Sequence, residues 1–454
     1  MSTAQQTTID LVPEVRCSNC WHTFRPEEAL YIASHEDLIG DPRLVDPNER
    51  RRFLPTRFRP DGAAVDERGR DCRDLACPNC HLLVPRVLLE RRPTLFLSIF
   101  GRPAAGKSYA LTSMMRQLKR VMPQRFGLGF TEPHPASNRL VQKYENELFN
   151  HPDPEAMVDI PKTASASFGG EAWYQAVKSG DEQILYPRPM YFQVAPLPHH
   201  PNGADAARYA RTLCLYDNAG EDFEAGRTDS PNNPVTQHLA RSSGLFFVFD
   251  PMQEPAFLRA CVGRSSDPQI EQNMKDPRDP QASILNMADQ NVKKFLQRPI
   301  AEPLDTPLVV IVAKHDAWGH MLGDDLPNFF IEPQGQRADA AGGRERMIGQ
   351  PPSVGGLRVS AVEEVSRRVQ ALLHEHDPAL VAAAQKFSRN VYFVPASSTG
   401  CAPTVVGRDE QTGKPTLKFR AGSIAPYWIE LPLIWMLARH VPGLVPVEKR
   451  ASPA

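Results

Sequence analysis

The sequence has almost no net charge, because its 52 lysines and arginines are balanced by 53 aspartates and glutamates. A chain without a strong basic field is not drawn as a whole onto nucleic acid or onto an anionic membrane surface. The charge balance therefore disfavours nucleic acid as a partner and argues against a protein held at a membrane.

Long apolar runs and targeting signals are also missing. The opening "MSTAQQTTIDLVPEV" has neither the basic region nor the apolar core of a secretion signal. The most apolar late segment, "SIAPYWIELPLIWMLARH", contains Glu430, Pro432 and Arg439, so it predicts a buried helix near the C-terminus rather than a membrane span. Together these absences predict a cytoplasmic protein.

The chain is long enough for more than one core. Its 454 residues, of which 41% are hydrophobic, predict two or three folded domains. Its 44 prolines are scattered, which indicates long loops and insertions rather than one disordered tail.

One short apolar segment is followed by a glycine-containing loop and then by a helical pattern. The segment "TLFLSIF", from Thr94 to Phe100, lies between Pro93 and Gly101 and is typical of a buried parallel strand. Beyond the loop, apolar residues recur at i, i+3, i+4 and i+7, which predicts one face of a helix. These residues are Leu111, Met114, Met115 and Leu118.

The loop between them, residues 101–108, reads "GRPAAGKS" and is called the phosphate loop below because it fits G-x-x-x-x-G-K-[ST]. Glycines let successive N–H groups point at phosphates, and the helix N-terminus adds partial positive charge. Lys107 is expected to reach the β- and γ-phosphates, and Ser108 to bind Mg²⁺. A chance match is the alternative, and the flanking strand and helix make it rare. The residues predicted to bind nucleotide here are Gly101, Ala104, Ala105, Gly106, Lys107, Ser108 and Tyr109.

Two later segments place polar residues after strands. In "RTLCLYDNAGEDF", Asp217 can hold Mg²⁺ through water and the amide of Gly220 can sense a γ-phosphate; an acidic turn is the alternative. In "PLVVIVAKHDAW", Asp316 can accept two hydrogen bonds from guanine, which adenine does not offer, while the stem of Lys314 lies on the base. An ordinary polar strand end is the alternative there.

A third segment, "NVYFVPASSTG", is a strand that leads into a loop of small residues. Ser397 in this loop could present a backbone N–H to the guanine O6. One further strand, "LFFVFDP", ends at Asp250 and is interpreted as the next core strand rather than as a second magnesium site, because no acidic residue follows that aspartate.

The order GRPAAGKS, DNAG, AKHD and ASS resembles the GTP-binding motifs of Ras-like, translation-factor-class P-loop GTPases, and most of all the bacterial double-GTPase families of conflict systems. The resemblance covers roughly residues 94–440. It implies an α/β fold, a P-loop three-layer sandwich with a mostly parallel sheet. It also implies Mg²⁺-dependent binding of GTP and GDP, slow hydrolysis, and a switch that acts on a protein effector or a second GTPase. Lys107 and Glu221 are then the catalytic candidates.

The chain departs from that family at several positions. Ala313 stands where an asparagine or threonine usually braces the base-binding loop, and Glu221 stands where many members have a water-orienting glutamine. Two threonines lie in the interval expected for the first switch, Thr131 and Thr163. Of these, Thr163 is preferred. Either Arg227 or Arg241 could act as an arginine finger.

Four of the eight cysteines form two C-x-x-C pairs ahead of the phosphate loop. Cys17, Cys20, Cys77 and Cys80 can hold one tetrahedral Zn²⁺. A redox role is disfavoured because one pair would suffice and no thioredoxin-like βαβ pattern precedes it, and a disulfide framework is disfavoured in a cytosolic chain. Other nearby candidates are Cys72, His22 and His81, and the remaining cysteines, Cys214, Cys261 and Cys401, are interpreted as core or loop residues.

Cys77 follows Cys20 by 57 positions (77 − 20), and this gap includes a cluster of five arginines, from Arg50 to Arg59, interleaved with Phe53 and Phe58. A phosphate or nucleic-acid patch is one interpretation. A solvated or partner-facing loop is favoured, because the whole chain is neutral and this cluster is the one of its kind in the sequence.

The predicted organisation is a zinc-ribbon-like region at 1–92, a P-loop GTPase domain at 93–445 and a tail at 446–454. Insertions are expected at about 132–205, 262–300 and 318–385. An ATPase or nucleotide or small-molecule kinase is the alternative function. A nucleotide-stabilised zinc-ribbon binding module without hydrolysis is another.

Overall fold

A computed structural model describes residues 11–161, 173–218, 233–275, 280–333, 336–338, 344–346, 353–409, 413 and 415–448. These residues form 24 strands and eleven α-helices. The strands are β1 (Val15–Arg16), β2 (Thr23–Phe24), β3 (Leu30–Ile32), β4 (Arg52–Phe53), β5 (Ala64–Val65), β6 (Asp71–Cys72), β7 (Leu75–Ala76), β8 (Leu83–Val84), β9 (Thr94–Gly101), β10 (Leu128–Thr131), β11 (Met157–Val158), β12 (Tyr174–Ser179), β13 (Glu182–Pro187), β14 (Met190–Pro196), β15 (Arg211–Asp217), β16 (Gly244–Phe249), β17 (Leu308–Val312), β18 (Phe330–Ile331), β19 (Gln336–Ala338), β20 (Arg344–Arg346), β21 (Gly356–Leu357), β22 (Val391–Pro395), β23 (Thr404–Arg408) and β24 (Pro415–Arg420). The helices are α1 (Lys107–Phe126), α2 (Arg139–Phe149), α3 (Ala206–Tyr209), α4 (Pro234–Arg241), α5 (Pro255–Cys261), α6 (Gln269–Lys275), α7 (Gln281–Phe295), α8 (His315–Trp318), α9 (Val359–His376), α10 (Pro378–Phe387) and α11 (Leu431–His440).

A seven-stranded, mostly parallel sheet forms the centre of the molecule, in the order β10-β14-β15-β9-β16-β17-β22. The five strands from β15 to β22 are parallel, and β14 runs antiparallel to both β10 and β15. The apolar runs predicted as strands are buried along these parallel strands, as expected when helices cover both faces. The predicted mixed α/β class is confirmed.

Helices lie on both faces of this sheet. The ring of Phe100 in β9 lies 6.5 Å from that of Phe387 in α10. Leu97, three positions earlier and therefore on the opposite face, lies beside Met436 of α11 at the closely packed Gly244. The late apolar segment forms α11, whose residues from Leu431 to Leu437 are buried, which confirms the predicted buried helix. Among the described residues, no helix combines the length and the apolar character needed to cross a bilayer.

The register of the sheet decides where Thr131 lies. Thr131 pairs with Gln193, Gln193 with Thr212, and Thr212 with Thr94. Thr131 is therefore level with the first residue of β9, whereas the phosphate loop follows the last, roughly 20 Å along the strand. Thr131 therefore lies at the end of the strands opposite to the phosphate loop, and from there it cannot contact a ligand bound at that loop, as a switch threonine must. Thr163 lies outside the described residues.

The intervals predicted as insertions also contain structural elements. Residues 132–205 include β14, which belongs to the central sheet, as well as α2 and the hairpin β12–β13. In the same interval β11 pairs with β24, forming a three-stranded sheet in the order β11-β24-β23.

A second hydrophobic core joins the N-terminal residues to the central sheet. It contains Cys17, Trp21, Cys77 and Cys80 together with side chains of β9, β14 and β15. The cysteine-bearing hairpins therefore pack on one face of the sheet, beside the strands that lead to the phosphate loop and to Asp217.

Candidate functional site

The carboxyl ends of the parallel strands meet at one edge of the sheet, and the predicted site residues follow these ends. The phosphate loop follows β9, Asp217 ends β15, and Lys314 and Asp316 follow β17. Ser397 comes two residues after β22. In open α/β sheets this edge is where ligands bind.

The phosphate loop begins with a glycine that the sheet itself requires. A Cβ on Gly101 would lie 2.5 Å from the carbonyl oxygen of Val248 in β16. Gly101 also has a φ of 149°, which a residue with a side chain rarely adopts. The close approach of β9 and β16 therefore excludes any larger residue at this position.

The loop then turns through two left-handed residues before α1. Ala104 has a φ of 62° and Gly106 a φ of 87°. A Cβ on Gly106 would meet no atom within 4 Å, so the backbone there faces open space. The first N–H groups of α1 have no partner within the helix and carry its partial positive charge. This end of α1 has the geometry and the charge to receive an anion.

Lys107 is folded back over this loop. Its Nζ donates to the carbonyl oxygens of Gly101, at 3.1 Å, and Arg102, at 3.0 Å. The residue is only 5% exposed. The ammonium group is thus held at the mouth of the loop by backbone oxygens.

Ser108 and Asp217 are brought together, although they are 109 positions apart. The hydroxyl of Ser108 donates to Oδ2 of Asp217 at 3.3 Å, and both residues are buried. The end of β15 is fixed beside β9 because Asn218 donates its backbone N–H and its side-chain amide to the carbonyl of Ile99, each at 3.1 Å. A hydroxyl and a carboxylate side by side are hard oxygen ligands of the kind that Mg²⁺ prefers.

The side chain of Tyr109, the residue that follows the phosphate loop, is directed away from the loop. Its hydroxyl accepts a hydrogen bond from the backbone N–H of Ile160 at 3.1 Å, and its ring lies 5.5 Å from that of Phe419 in β24. Burial raises the pKa of Tyr109 to about 12, so this phenol stays protonated. The side chain faces residues 157–160 and β24.

Several predicted residues lie outside the described residues, namely Gly220, Glu221 and Arg227. The other arginine-finger candidate, Arg241, stacks its guanidinium over the rings of Trp21, at 5.5 Å, and Phe295, at 5.4 Å. That position belongs to the packing of α4 against its neighbours.

The predicted base-reading residues also come together. The hydroxyl of Ser397 donates to Oδ1 of Asp316 at 2.5 Å and accepts from the backbone N–H of Gly400 at 2.7 Å. The backbone N–H of Ser397, the predicted donor to guanine O6, instead donates to the carbonyl of Tyr427 at 3.1 Å. Ser113 of α1 donates to the carbonyl of Ser398 at 2.6 Å, so the phosphate-loop helix holds this loop as well.

Lys314 has partners that sequence reasoning missed. Its Nζ donates to Oδ2 of Asp250 and to Oε1 of Gln269, each at 2.6 Å. Asp250, at the end of β16, is fully buried and also accepts from the backbone N–H of Met252 at 3.0 Å. The sequence signal for this contact was the aspartate at the end of "LFFVFDP". The prediction that this segment is the next core strand is confirmed, because it forms β16.

Ala313 has no side chain that could brace this loop, and backbone groups carry the contacts there. Its N–H donates to the carbonyl of Phe249 at 2.8 Å, and its carbonyl accepts from Nε1 of Trp318 at 2.7 Å. His315, next along the loop, is packed between the rings of Trp318 and Trp428, at 4.8 and 5.0 Å. Burial lowers the pKa of His315 to about 4.

The two C-x-x-C pairs form one cluster. The sulfurs of Cys17, Cys20, Cys77 and Cys80 all lie within 4.8 Å of one another. Cys17 Sγ lies 3.8 Å from Cys80 Sγ, and Cys20 Sγ lies 3.7 Å from Cys77 Sγ. Tetrahedral Zn²⁺ with Zn–S bonds of about 2.3 Å separates its sulfurs by about 3.8 Å. The four thiols therefore fit a metal such as zinc, and they are too far apart for disulfides.

Each pair lies on a turn of the same design. In the first knuckle, residues 17–22, Cys17 N–H donates to the carbonyl of His22 at 2.9 Å, and Trp21 is left-handed with a φ of 62°. In the second knuckle, residues 77–82, Cys77 N–H donates to the carbonyl of Leu82 at 3.0 Å, and His81 has a φ of 60°. Asn19 and Asn79 each direct a backbone N–H to the first sulfur of their knuckle at 3.4 Å.

The other ligand candidates near the cluster have different partners. His81 pairs through Nδ1 with Asp41 at 2.9 Å, His22 stacks on Phe24, and the thiol of Cys72 lies 3.7 Å from Asp66. Of the described residues, only the four cysteines form a group of three or more cysteine, histidine or carboxylate ligands close enough to share one metal ion.

The arginines of the 57-position gap mostly bind backbone carbonyls. Arg50 donates to His35, Arg51 to Ile39, and Arg52 to His81. These hydrogen bonds hold the irregular loops between the knuckles to one another, a structural role that the sequence analysis did not predict.

Comparisons with known protein families and with curated proteins find no match for this chain, so the functional conclusion rests on the residues themselves.

Proposed function

We propose that the protein binds GTP with Mg²⁺, hydrolyses it slowly and acts as a molecular switch. The observation that carries the proposal is the 3.3 Å contact between Ser108 and Asp217 at the end of a helix whose first residue is Lys107. A buried hydroxyl, a buried carboxylate and a lysine at an open, left-handed loop are the groups that a magnesium-bound triphosphate needs.

The residues divide the work. Lys107 and the N–H groups of the phosphate loop hold the β- and γ-phosphates and stabilise the charge that develops on them during transfer to water. Ser108 and Asp217 hold Mg²⁺, which when bound neutralises phosphate charge. Glu221, in place of the glutamine of the resembling family, gives slow hydrolysis.

Guanine recognition is assigned to Asp316. Its carboxylate is oriented by the hydroxyl of Ser397, which is itself anchored by Gly400. The Oδ2 oxygen of Asp316 and the remaining lone pair of its Oδ1 can accept hydrogen bonds from N1–H and N2–H₂ of guanine. Adenine lacks this pair of donors. The stem of Lys314 lies on the base, while Asp250 and Gln269 hold its ammonium end.

The cysteine cluster is proposed to hold a structural Zn²⁺. The sulfur spacing fits a tetrahedral ion, and Cys17, Cys77 and Cys80 are buried, as in a closed structural site. The metal would join two short hairpins whose apolar side chains belong to the second hydrophobic core. The switch is proposed to act on a protein effector or on a second GTPase, as in the conflict systems of the resembling families.

Calorimetric titration of the purified chain with GTP and with ATP, each with and without Mg²⁺, tests the proposal. We expect tight binding of GTP that depends on Mg²⁺ and weaker binding of ATP. Ser108→Ala should retain some GTP affinity and lose the Mg²⁺ dependence. Equal affinity for both nucleotides would favour the ATPase alternative, and absence of binding would refute a nucleotide site.

A further inference from the structure

Both knuckles belong to the hydrophobic core that packs on the central sheet, but the first is also hydrogen-bonded to it. Ser18 and Asn19, between the cysteines of the first knuckle, are buried at 0% and 1% exposure. Their counterparts in the second knuckle are the half-buried Pro78 and the exposed Asn79, and Arg43 binds the carbonyl of Asn79 at 2.9 Å. The two turns share one backbone design, so the difference lies in what they contact.

Two tyrosines of the sheet bind the first knuckle through Ser18. The hydroxyl of Tyr216 in β15 donates to the carbonyl of Ser18 at 2.5 Å. The hydroxyl of Tyr191 in β14 lies 2.5 Å from the Ser18 hydroxyl. Pro78, at the matching place in the second knuckle, has no hydroxyl for such a bond. The turn that presents Cys17 and Cys20 is thus hydrogen-bonded directly to the sheet.

The residue after Cys20 strengthens this contact. The Trp21 ring lies 4.7 Å from the ring of Phe96 in β9 and 6.2 Å from that of Tyr216. His238 of α4 packs against both, with its ring 5.4 Å from Trp21 and 4.1 Å from Tyr216. The first knuckle therefore lies against the strand of the phosphate loop as well as the strand of Asp217.

Tyr216 immediately precedes Asp217, whose Oδ2 accepts the hydroxyl of Ser108. A path of one hydrogen bond and one peptide unit thus leads from the cysteine-bearing turn to the proposed magnesium ligand. Because side chains alternate along a strand, Tyr216 faces the knuckle while the end of β15 presents Asp217 to α1.

We infer that Tyr216 is a positioning residue that connects the cysteine cluster to Asp217, so that metal in the cluster and Mg²⁺-dependent nucleotide binding strengthen each other. The inference rests on the proposed function. A metal ion fixes the first knuckle and hence the carbonyl of Ser18; without the ion, four crowded sulfurs lose their common partner and the turn is free to rearrange. The end of β15 then loses its anchor, and Asp217 is less well placed for Mg²⁺. By linkage, bound Mg²⁺–GTP must raise the affinity of the four cysteines for the metal by stabilising the same arrangement.

The test measures the zinc affinity of the full chain by equilibrium competition with a chromophoric chelator, in the presence and absence of saturating Mg²⁺–GTP. We expect nucleotide to raise the affinity at least about five-fold in the wild type, a typical size for coupling between two sites. Tyr216→Phe removes only the hydroxyl and should bring the ratio of the two affinities to within about two-fold of one. Tyr31→Phe, in β3 of the same N-terminal region, is the matched control and should keep the wild-type ratio.

The ratio separates coupling from general destabilisation, because a merely weakened fold binds metal more weakly under both conditions and leaves the ratio unchanged. A Tyr216→Phe variant with the wild-type ratio would overturn the inference. So would a wild type that binds metal and Mg²⁺–GTP with no mutual effect, while the proposed function would stand. A wild type that binds no nucleotide overturns both. If Tyr216→Phe does not fold, the wild type alone still tests the coupling, because a metal affinity that Mg²⁺–GTP does not change refutes it.

Discussion

Lys314 and Asp250 form an ion pair of 2.6 Å between the ends of two adjacent strands, β17 and β16. The carboxylate is fully buried, and the lysine side chain is 20% exposed. This pair braces the proposed base-reading loop at the point where Ala313 offers no side-chain hydrogen bond.

Removing one partner of this pair should destabilise the fold. Asp250→Ala leaves the ammonium of Lys314 with one side-chain partner fewer and the N–H of Met252 without its acceptor, so we expect a loss of about 3 kcal/mol in the free energy of unfolding. Urea denaturation of Asp250→Ala, Lys314→Met and the double variant measures the coupling, expected at about 1–3 kcal/mol. Asp325→Ala, which breaks the exposed pair with Arg368, is the control and should lower the free energy of unfolding much less than Asp250→Ala does. Additive effects of the two substitutions would show that the pair does not act as a unit.

Lys107→Ala should abolish nucleotide binding, because it deletes the cation held at the mouth of the phosphate loop. Calorimetry with GTP and Mg²⁺ gives the measurement. Lys119→Ala removes a lysine from the same helix that pairs instead with Glu132 and Glu145, and it should leave GTP affinity near the wild-type value. The phosphate-loop interpretation does not survive a Lys107→Ala variant of unchanged affinity.

Cys17→Ser and Cys77→Ser should each lower the zinc content and destabilise the N-terminal region, since loss of one thiolate opens a tetrahedral site. Elemental analysis of the purified chain gives the metal per protein, and thermal unfolding gives the stability. Cys401→Ser, outside the cluster, should retain the wild-type zinc content. Wild-type protein purified without any zinc would contradict the structural-metal proposal.

Asp316 should decide the choice of base. Losing hydrogen bonds to a charged acceptor in a partly buried site costs about 2 kcal/mol, so Asp316→Ala should weaken GTP more than ten-fold and change ATP little. Asp316→Asn should shift preference toward xanthosine triphosphate, whose C2 carbonyl can accept from the new amide. Ser397→Ala leaves the carboxylate without its orienting hydroxyl and should weaken GTP less than Asp316→Ala does. If the wild type binds GTP and ATP equally and Asp316→Asn gains no xanthosine triphosphate, the guanine assignment fails.

Acid should loosen the same loop through His315. Burial lowers the pKa of His315 to about 4, below the ordinary value of about 6.5, so the unfolded chain binds this proton more readily than the folded one. The stability that comes from burying the neutral His315 ring is fully present above pH ~6.5. It is lost as the pH falls toward 4, and the free energy of unfolding then decreases by at most about 1.4 kcal/mol per pH unit. His315→Phe keeps an aromatic ring between Trp318 and Trp428 and should flatten the dependence of unfolding free energy on pH. His320→Phe, at an exposed position, controls for the loss of one imidazole; equal slopes for wild type and His315→Phe would rule out the effect.

Local patterns were sufficient to predict the elements that carry the site. The apolar run from Thr94 and the i, i+3, i+4, i+7 spacing from Leu111 correspond to β9 and α1, because burial on both faces and on one face leave distinct periodicities. The two C-x-x-C pairs likewise predicted that their four sulfurs lie together, because each tight turn fixes two of them.

The sequence did not predict which distant residues pair across the fold. The ion pair between Asp250 and Lys314 depends on which strands are neighbours, and the place of Thr131 depends on the register of three strand pairs. Neither leaves a periodic trace in one chain. The contact of Tyr216 with Ser18 joins residues 198 positions apart and has no motif at all.

The order of synthesis gives the cysteine cluster a further importance. Cys80 completes the set of four ligands, and β9 begins only fourteen positions later (94 − 80). The N-terminal hairpins can therefore acquire metal and close while the rest of the chain is still being made, since domains generally fold from the N-terminus during translation. The surface of the N-terminal hairpins that includes Trp21 would then form before β9 and β15 are synthesised. Phe96, and later Tyr216, would pack against this surface. Zinc supplied during translation should thus matter more for the yield of folded protein than zinc supplied afterwards.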